Sequence, residues 1–137
     1  MREEAEERNV GVVRALWAAF RSGGVDQVLQ LVDESVEWQP LGARGKVLRG
    51  PEELREYFSR MESAGEEMDA IAHSYRAAGD AVIVSGTLRV RGREGLEERT
   101  AHWLYWLHDG RLVRAEGCES LEECERILAE QAARNDA

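Results

Sequence analysis

Phe20-Arg21-Ser22-Gly23-Gly24-Val25-Asp26 marks the point where one amphipathic helix stops and a second, short one starts. Upstream, Val10, Val13, Leu16, Trp17 and Phe20 recur at helical spacing, so a helix from about Glu3 to Arg21 buries one face. The paired glycines end it, and Asp26 is placed to cap a helix that runs to about Val32. Val36 and Trp38 begin a strand, and Gly42 to Gly50, with Arg44 and Lys46, reads as a loop. Pro51 suits the first turn of a third helix, and Glu52-Glu53 complement its positive end. Leu54, Tyr57, Phe58 and Met61 give that helix its apolar face.

Further on, the period changes from helical to two. Ile71 to Ala77 alternates loosely, and Gly79-Asp80 turns the chain. Val82, Val84, Gly86, Leu88 and Val90 then alternate with Ile83, Ser85, Thr87, Arg89 and Arg91, the pattern of a half-buried strand. Gly92 to Gly95 forms a hairpin tip, Glu98 to Leu107 is the next strand, Asp109-Gly110 is a strong hairpin turn, and Leu112 to Cys118 is the last strand. Ser120-Leu121-Glu122-Glu123 has capping-box form and opens a terminal helix with Leu121, Cys124, Ile127 and Leu128 on its apolar face. Helices followed by a meander of antiparallel strands predict an α+β fold.

A chain of 137 residues is long enough for one core and too short for two, so residues 1–137 are expected to form a single domain. The net charge of −9 repels phosphate backbones and argues against nucleic-acid partners. The arginines of Arg89-Val90-Arg91-Gly92-Arg93 sit beside Glu94, Glu97 and Glu98, as on a solvated hairpin tip. Apolar stretches are too short for a membrane span, and the charged start Met1 to Arg8 has no signal-peptide core, so the expected location is cytoplasmic. Cys118 and Cys124 read as small apolar residues near the core, because a disulfide is not expected in a reducing compartment. No CxxC, phosphate loop, nucleophile elbow or metal-ligand spacing occurs, so neither metal nor cofactor is expected.

The order of these elements, together with Leu48-Arg49-Gly50-Pro51-Glu52-Glu53-Leu54-Arg55-Glu56-Tyr57-Phe58 and the turn His108-Asp109-Gly110-Arg111-Leu112-Val113, resembles the SnoaL-like members of the nuclear-transport-factor-2-like superfamily. That group includes ketosteroid isomerases and polyketide cyclases. The resemblance covers about residues 8–130. It implies a cone, in which a curved antiparallel sheet is wrapped by N-terminal helices around a central pocket, with a further C-terminal helix. It also implies a homodimer formed through the outer face of the sheet, with Trp103 and Tyr105 as interface candidates, since rings of that size are costly to expose.

In the Glu98–Leu107 strand, Thr100, His102, Leu104 and Trp106 share one face, and Ala101, Trp103, Tyr105 and Leu107 share the other. Both faces are largely apolar, so alternation alone leaves open which one looks into the cone. Counted back from the Asp109-Gly110 turn, His102 falls where the resemblance places an oxyanion-stabilising acid. An imidazole there either anchors a ligand carbonyl or moves a proton, or it is a core histidine bonded to its neighbours. Trp38 occupies the place of the isomerases' base aspartate, and Leu16 that of their tyrosine donor, so steroid isomerisation by that route is not expected. Gly117 stands near the cyclases' acid, which removes their usual mechanism. The Asp-Arg-Asp set of the superfamily's epoxide hydrolases finds no match.

The expected pocket wall is Trp17, Trp38, Tyr57, Phe58, Met61, Val84, Leu104, Trp106, Ala115 and Gly117, with His102 and Tyr57 as the candidate catalytic groups. Glu116 faces away unless a bulge changes the register. The expected function is binding of a small, largely apolar or carbonyl-bearing molecule, with metal-independent acid/base chemistry of isomerase, cyclase or dehydratase type. The alternative is a non-catalytic carrier or a dimeric interaction module.

Overall fold

The computed structural model describes residues 2–22, 25–40, 45–63, 67–92 and 95–135, with the side chains of residues 2, 22, 61–63, 67–68, 92 and 135 outside the description. The elements follow in the order α1 (Arg2–Ser22), α2 (Val25–Gln30), β1 (Val32–Gln39), β2 (Leu48–Arg49), α3 (Gly50–Ser63), β3 (Glu67–Ala78), β4 (Ala81–Gly92), β5 (Gly95–His108), β6 (Arg111–Cys118) and α4 (Leu121–Asn135). The strands form one open sheet in the order β2-β1-β6-β5-β4-β3.

From β3 to β6 each strand pairs antiparallel with the next. The turn from β5 to β6 is tight because Asp109 and Gly110 both take positive φ, 50° and 78°, as a two-residue hairpin turn requires. β1 then lies parallel to β6, and β2 closes the far edge by pairing with Glu37 and Trp38. Leu48 and Arg49 were read as loop; their strand is two residues long, too short to show a period. α2 ends before β1 begins at Val32, four residues ahead of the expected Val36, because Asp33, Glu34 and Ser35 carry no alternating apolar signal.

Bulges bend the sheet. One interrupts β3 between Ala72 and Ser74, and another offsets β5 from β6 between Trp106 and Leu107. The second changes which β6 residues share a face. Leu112 and Ala115 belong to the core on one side, whereas Val113 packs on the other and Arg114 lies over Trp106 there. Strict alternation would put Val113 on the face of Ala115.

Two apolar layers result. On the concave side, α1, α2 and α3 cover the sheet, and Val13, Leu16, Trp17, Val28, Val36 and Leu54 pack with Val82, Val84, Tyr105 and Leu112. On the convex side, α4 lays Cys124, Ile127 and Leu128 against Ala81, Ile83, Leu104, Trp106 and Cys118. Ser120 caps α4, its hydroxyl accepting from the Glu123 N–H at 3.1 Å. The tight turn after β6 brings Cys118 and Cys124 to a Cα separation of 5.7 Å, and the two form a disulfide. This corrects the expectation of two unlinked cysteines, which rested on a reducing compartment: the first turn of α4 folds Cys124 back over the end of β6.

Candidate functional site

Aromatic side chains from every layer of the concave side converge on one cavity of about 250 Å³. Trp17 and Phe20 come from α1, three residues apart and so on one helical face. Trp38 comes from β1, Tyr57 and Phe58 from α3, and Trp103 and Tyr105 from alternate positions of β5. Leu88, Ala70, Ala115, Gly117 and Pro40 fill the gaps, and Arg21, Gln39, Asp69 and Glu116 border the opening.

The rings pack edge to face. Trp38 stands 5.9 Å from Phe58 and 6.1 Å from both Phe20 and Tyr105, with interplanar angles of 86°, 75° and 66°. Trp17 meets Trp103 edge-on at 4.8 Å. Each positive ring edge thus faces a negative ring face, the favoured arrangement of aromatic pairs. The Trp17 indole N–H is buried beside the Tyr105 hydroxyl without hydrogen-bond geometry to any described atom.

Burial governs the two phenols. It raises Tyr57 above its usual 10.0, and it raises fully buried Tyr105 far more, with the neighbouring Trp17 N–H opposing the shift. Both therefore keep their protons at neutral pH and act as hydrogen-bond donors.

The two carboxylates at the border belong to the other face of the sheet. Asp69 pairs across the ladder with Arg89, next to inward-facing Leu88, and Glu116 pairs with Leu104 of the convex layer. The Glu116 side chain accepts from Arg114 at 2.9 Å, and both line a separate polar cleft with Glu37, Gln131 and Arg134. Its expected outward direction holds because that part of β6 lies beyond the bulge.

Six of the expected wall residues, Trp17, Trp38, Tyr57, Phe58, Ala115 and Gly117, do line the cavity. Met61 lies in α3, but its side chain is outside the description. Four expectations are corrected. Leu104 and Trp106 lie under α4 on the convex face, because both faces of β5 are apolar and the terminal helix covers this one. His102 shares their face, where its Nδ1 and the Ser85 hydroxyl form a 2.8 Å hydrogen bond, so it is a histidine held by a neighbouring strand. Val84 faces inward but is fully buried in the core and does not reach the cavity. Trp103 and Tyr105, assigned to a dimer interface, form the cavity wall instead.

Sequence reasoning missed Trp103, Tyr105, Leu88, Phe20 and Arg21, among others, as cavity residues. Register could have found the first three. Val84 pairs with Trp103 and Val82 with Tyr105, so the uniformly apolar Val82-Val84-Leu88 face marks the interior. Helical spacing could have found Arg21, one turn beyond Trp17. Among the described residues no group of three His, Cys, Asp or Glu side chains could hold a metal ion. No helix among them is long and apolar enough to cross a membrane.

The family profile of the SnoaL-like domain matches residues 13–115. Among solved structures, an NTF2-like protein of unknown function from Burkholderia pseudomallei superposes with a TM-score of 0.72 at 25% identity, covering 87% of this chain and 95% of that one. A Xanthomonas campestris protein described as a polyketide cyclase superposes at 0.69 with 19% identity, covering 87% and 95%. An LEH-like epoxide hydrolase from M. tuberculosis superposes at 0.71 with 16% identity, covering 91% and 92%. No curated protein matches the sequence.

Proposed function

Since the chain belongs to the SnoaL-like family, we propose that it binds a small, planar, largely apolar molecule in the aromatic cavity. The observation that carries this is the cluster of seven aromatic side chains around one open space, of a size near the small end of ligand pockets. A planar ring can replace one member of the edge-to-face cluster without exposing the others, and the phenols of Tyr57 and Tyr105 donate to its carbonyl or hydroxyl oxygen.

Binding without turnover is the favoured form. Proton abstraction needs a base that is unprotonated near neutral pH. Of the described residues that line the cavity only Asp69 and Glu116 carry a carboxylate; Asp69 lies on the Arg89 face of the sheet, Glu116 is held by Arg114, and His102 is across the sheet. The enzymatic alternative retains Tyr57 as a donor to a developing oxyanion, with isomerisation, cyclisation or dehydration as its product chemistry.

Titration with a naphthalene-type probe, followed by tryptophan fluorescence, tests the proposal. Trp38→Leu is expected to weaken binding about tenfold, the effect of losing roughly 1.4 kcal/mol of ring contact. His102→Ala is expected to change it by less than about twofold. Absence of binding, or binding indifferent to Trp38→Leu, would overturn the proposal.

A further inference from the structure

We propose that the occupant of the cavity is a planar aromatic acid, with its rings between Trp38, Phe58 and Trp103 and its anionic group at the mouth against the Arg21 guanidinium. This rests on the ligand-binding role proposed above and adds the charge of the ligand.

The first ground is the direction of the polar groups. Apart from the alkyl and aryl surfaces and from Gln39, Asp69 and Glu116, the described side chains that line the cavity carry an indole N–H, a phenol O–H or a guanidinium. All of these donate, and burial keeps both phenols protonated. The register turns the acceptors of the lining away from it, Gln39 included, since it alternates with inward Trp38 and pairs with Glu116. Asp69 lies on the face of Arg89, and Glu116 is turned to Arg114. A molecule that supplies acceptors matches the indole and guanidinium groups of such a wall, which only donate.

The second ground is the placing of Arg21. It follows Trp17 by four residues on α1, so the helix sets its side chain one turn beyond the aromatic cluster at the cavity rim. Among the described residues no carboxylate pairs with it, so its guanidinium is open to a ligand. A guanidinium forks onto a carboxylate through two parallel hydrogen bonds.

The field of the whole molecule opposes this choice. A net charge of −9 repels anions, although at physiological salt the repulsion is screened beyond about 8 Å. Aromatic rings also attract alkylammonium groups. A preference for acid over both neutral and cationic ligands would therefore have to arise at the rim itself.

Three probes of one shape decide the matter: naphthoic acid, naphthamide and naphthylmethylammonium, each titrated into the full chain at neutral pH by calorimetry. The acid is expected to bind about tenfold tighter than the amide, with the gap narrowing as salt is added. Arg21→Gln is expected to bring the acid down to the level of the amide, and Arg21→Lys to retain part of the preference. Circular dichroism establishes that both variants fold. The inference is overturned if the amide matches the acid, if the ammonium binds tightest, or if Arg21→Gln keeps the preference. If none of the three binds, the ligand-binding proposal itself fails.

Discussion

Gly86 shows how a single atom shapes the sheet. It lies in β4 opposite Ala72, where β3 bulges toward it, and a Cβ there would run into the backbone carbonyl of Ile71. Backbone cannot give way as a flexible side chain can, so Gly86→Ala is expected to cost about 2 kcal/mol or more in urea denaturation. An unchanged midpoint would mean that the strands are farther apart than described. A second residue-scale effect concerns Asp33 at the start of β1. The Ser35 hydroxyl and N–H both donate to its carboxylate, at 2.6 and 3.0 Å, and hold its pKa below 3.8. A depressed carboxylate pKa favours the folded state above the unfolded value and loses that contribution as pH falls through the folded one. The carboxyl resonance of Asp33 is therefore expected to titrate below the ordinary range, and Ser35→Ala to move it upward. Identical titration in both proteins would exclude the bonds.

At the scale of elements, α4 decides the orientation of β5. Its Cys124, Ile127 and Leu128 cover Leu104 and Trp106, which leaves Trp103 and Tyr105 to face the helices on the other side. The Cys118–Cys124 disulfide ties the start of α4 to the end of β6. Closing so short a loop is expected to stabilise by about 2 kcal/mol. Reduction should lower the urea midpoint accordingly, and the unreduced, denatured chain should show no thiol reactive to Ellman's reagent. Two reactive thiols in that assay would show that the pair is unlinked.

The whole molecule places its two apolar layers on opposite faces of one sheet, and β4, β5 and β6 contribute to both. Unfolding is therefore expected in one cooperative transition, with circular dichroism and tryptophan fluorescence coincident. Separate transitions would contradict the single domain expected for residues 1–137. A ligand present at about a hundred times its dissociation constant should then raise stability by roughly 2.7 kcal/mol, since it binds only the folded cone. A homodimer through the outer face of the sheet would have to form without the rings first assigned to it, because Trp103 and Tyr105 line the cavity on the inner face.

Local signals in the sequence determined the helices, the strands from Ile71 onward and their turns. Gly23-Gly24, Pro51, Asp109-Gly110 and Ser120 act on neighbouring residues, and their effects need no distant partner. The aromatic stripe of Trp17 and Phe20 on α1 and the pair Tyr57-Phe58 on α3 were also legible, since helical spacing puts each on one face. What the tertiary structure alone decided was the direction of β5. A strand has two faces at a period of two, and His102-Trp103-Leu104-Tyr105-Trp106 is bulky on both, so nothing local separates inside from outside. The choice was made by α4, which lies on one face, and by the helices that lie on the other, and it carried His102 out of the cavity and Trp103 and Tyr105 into it.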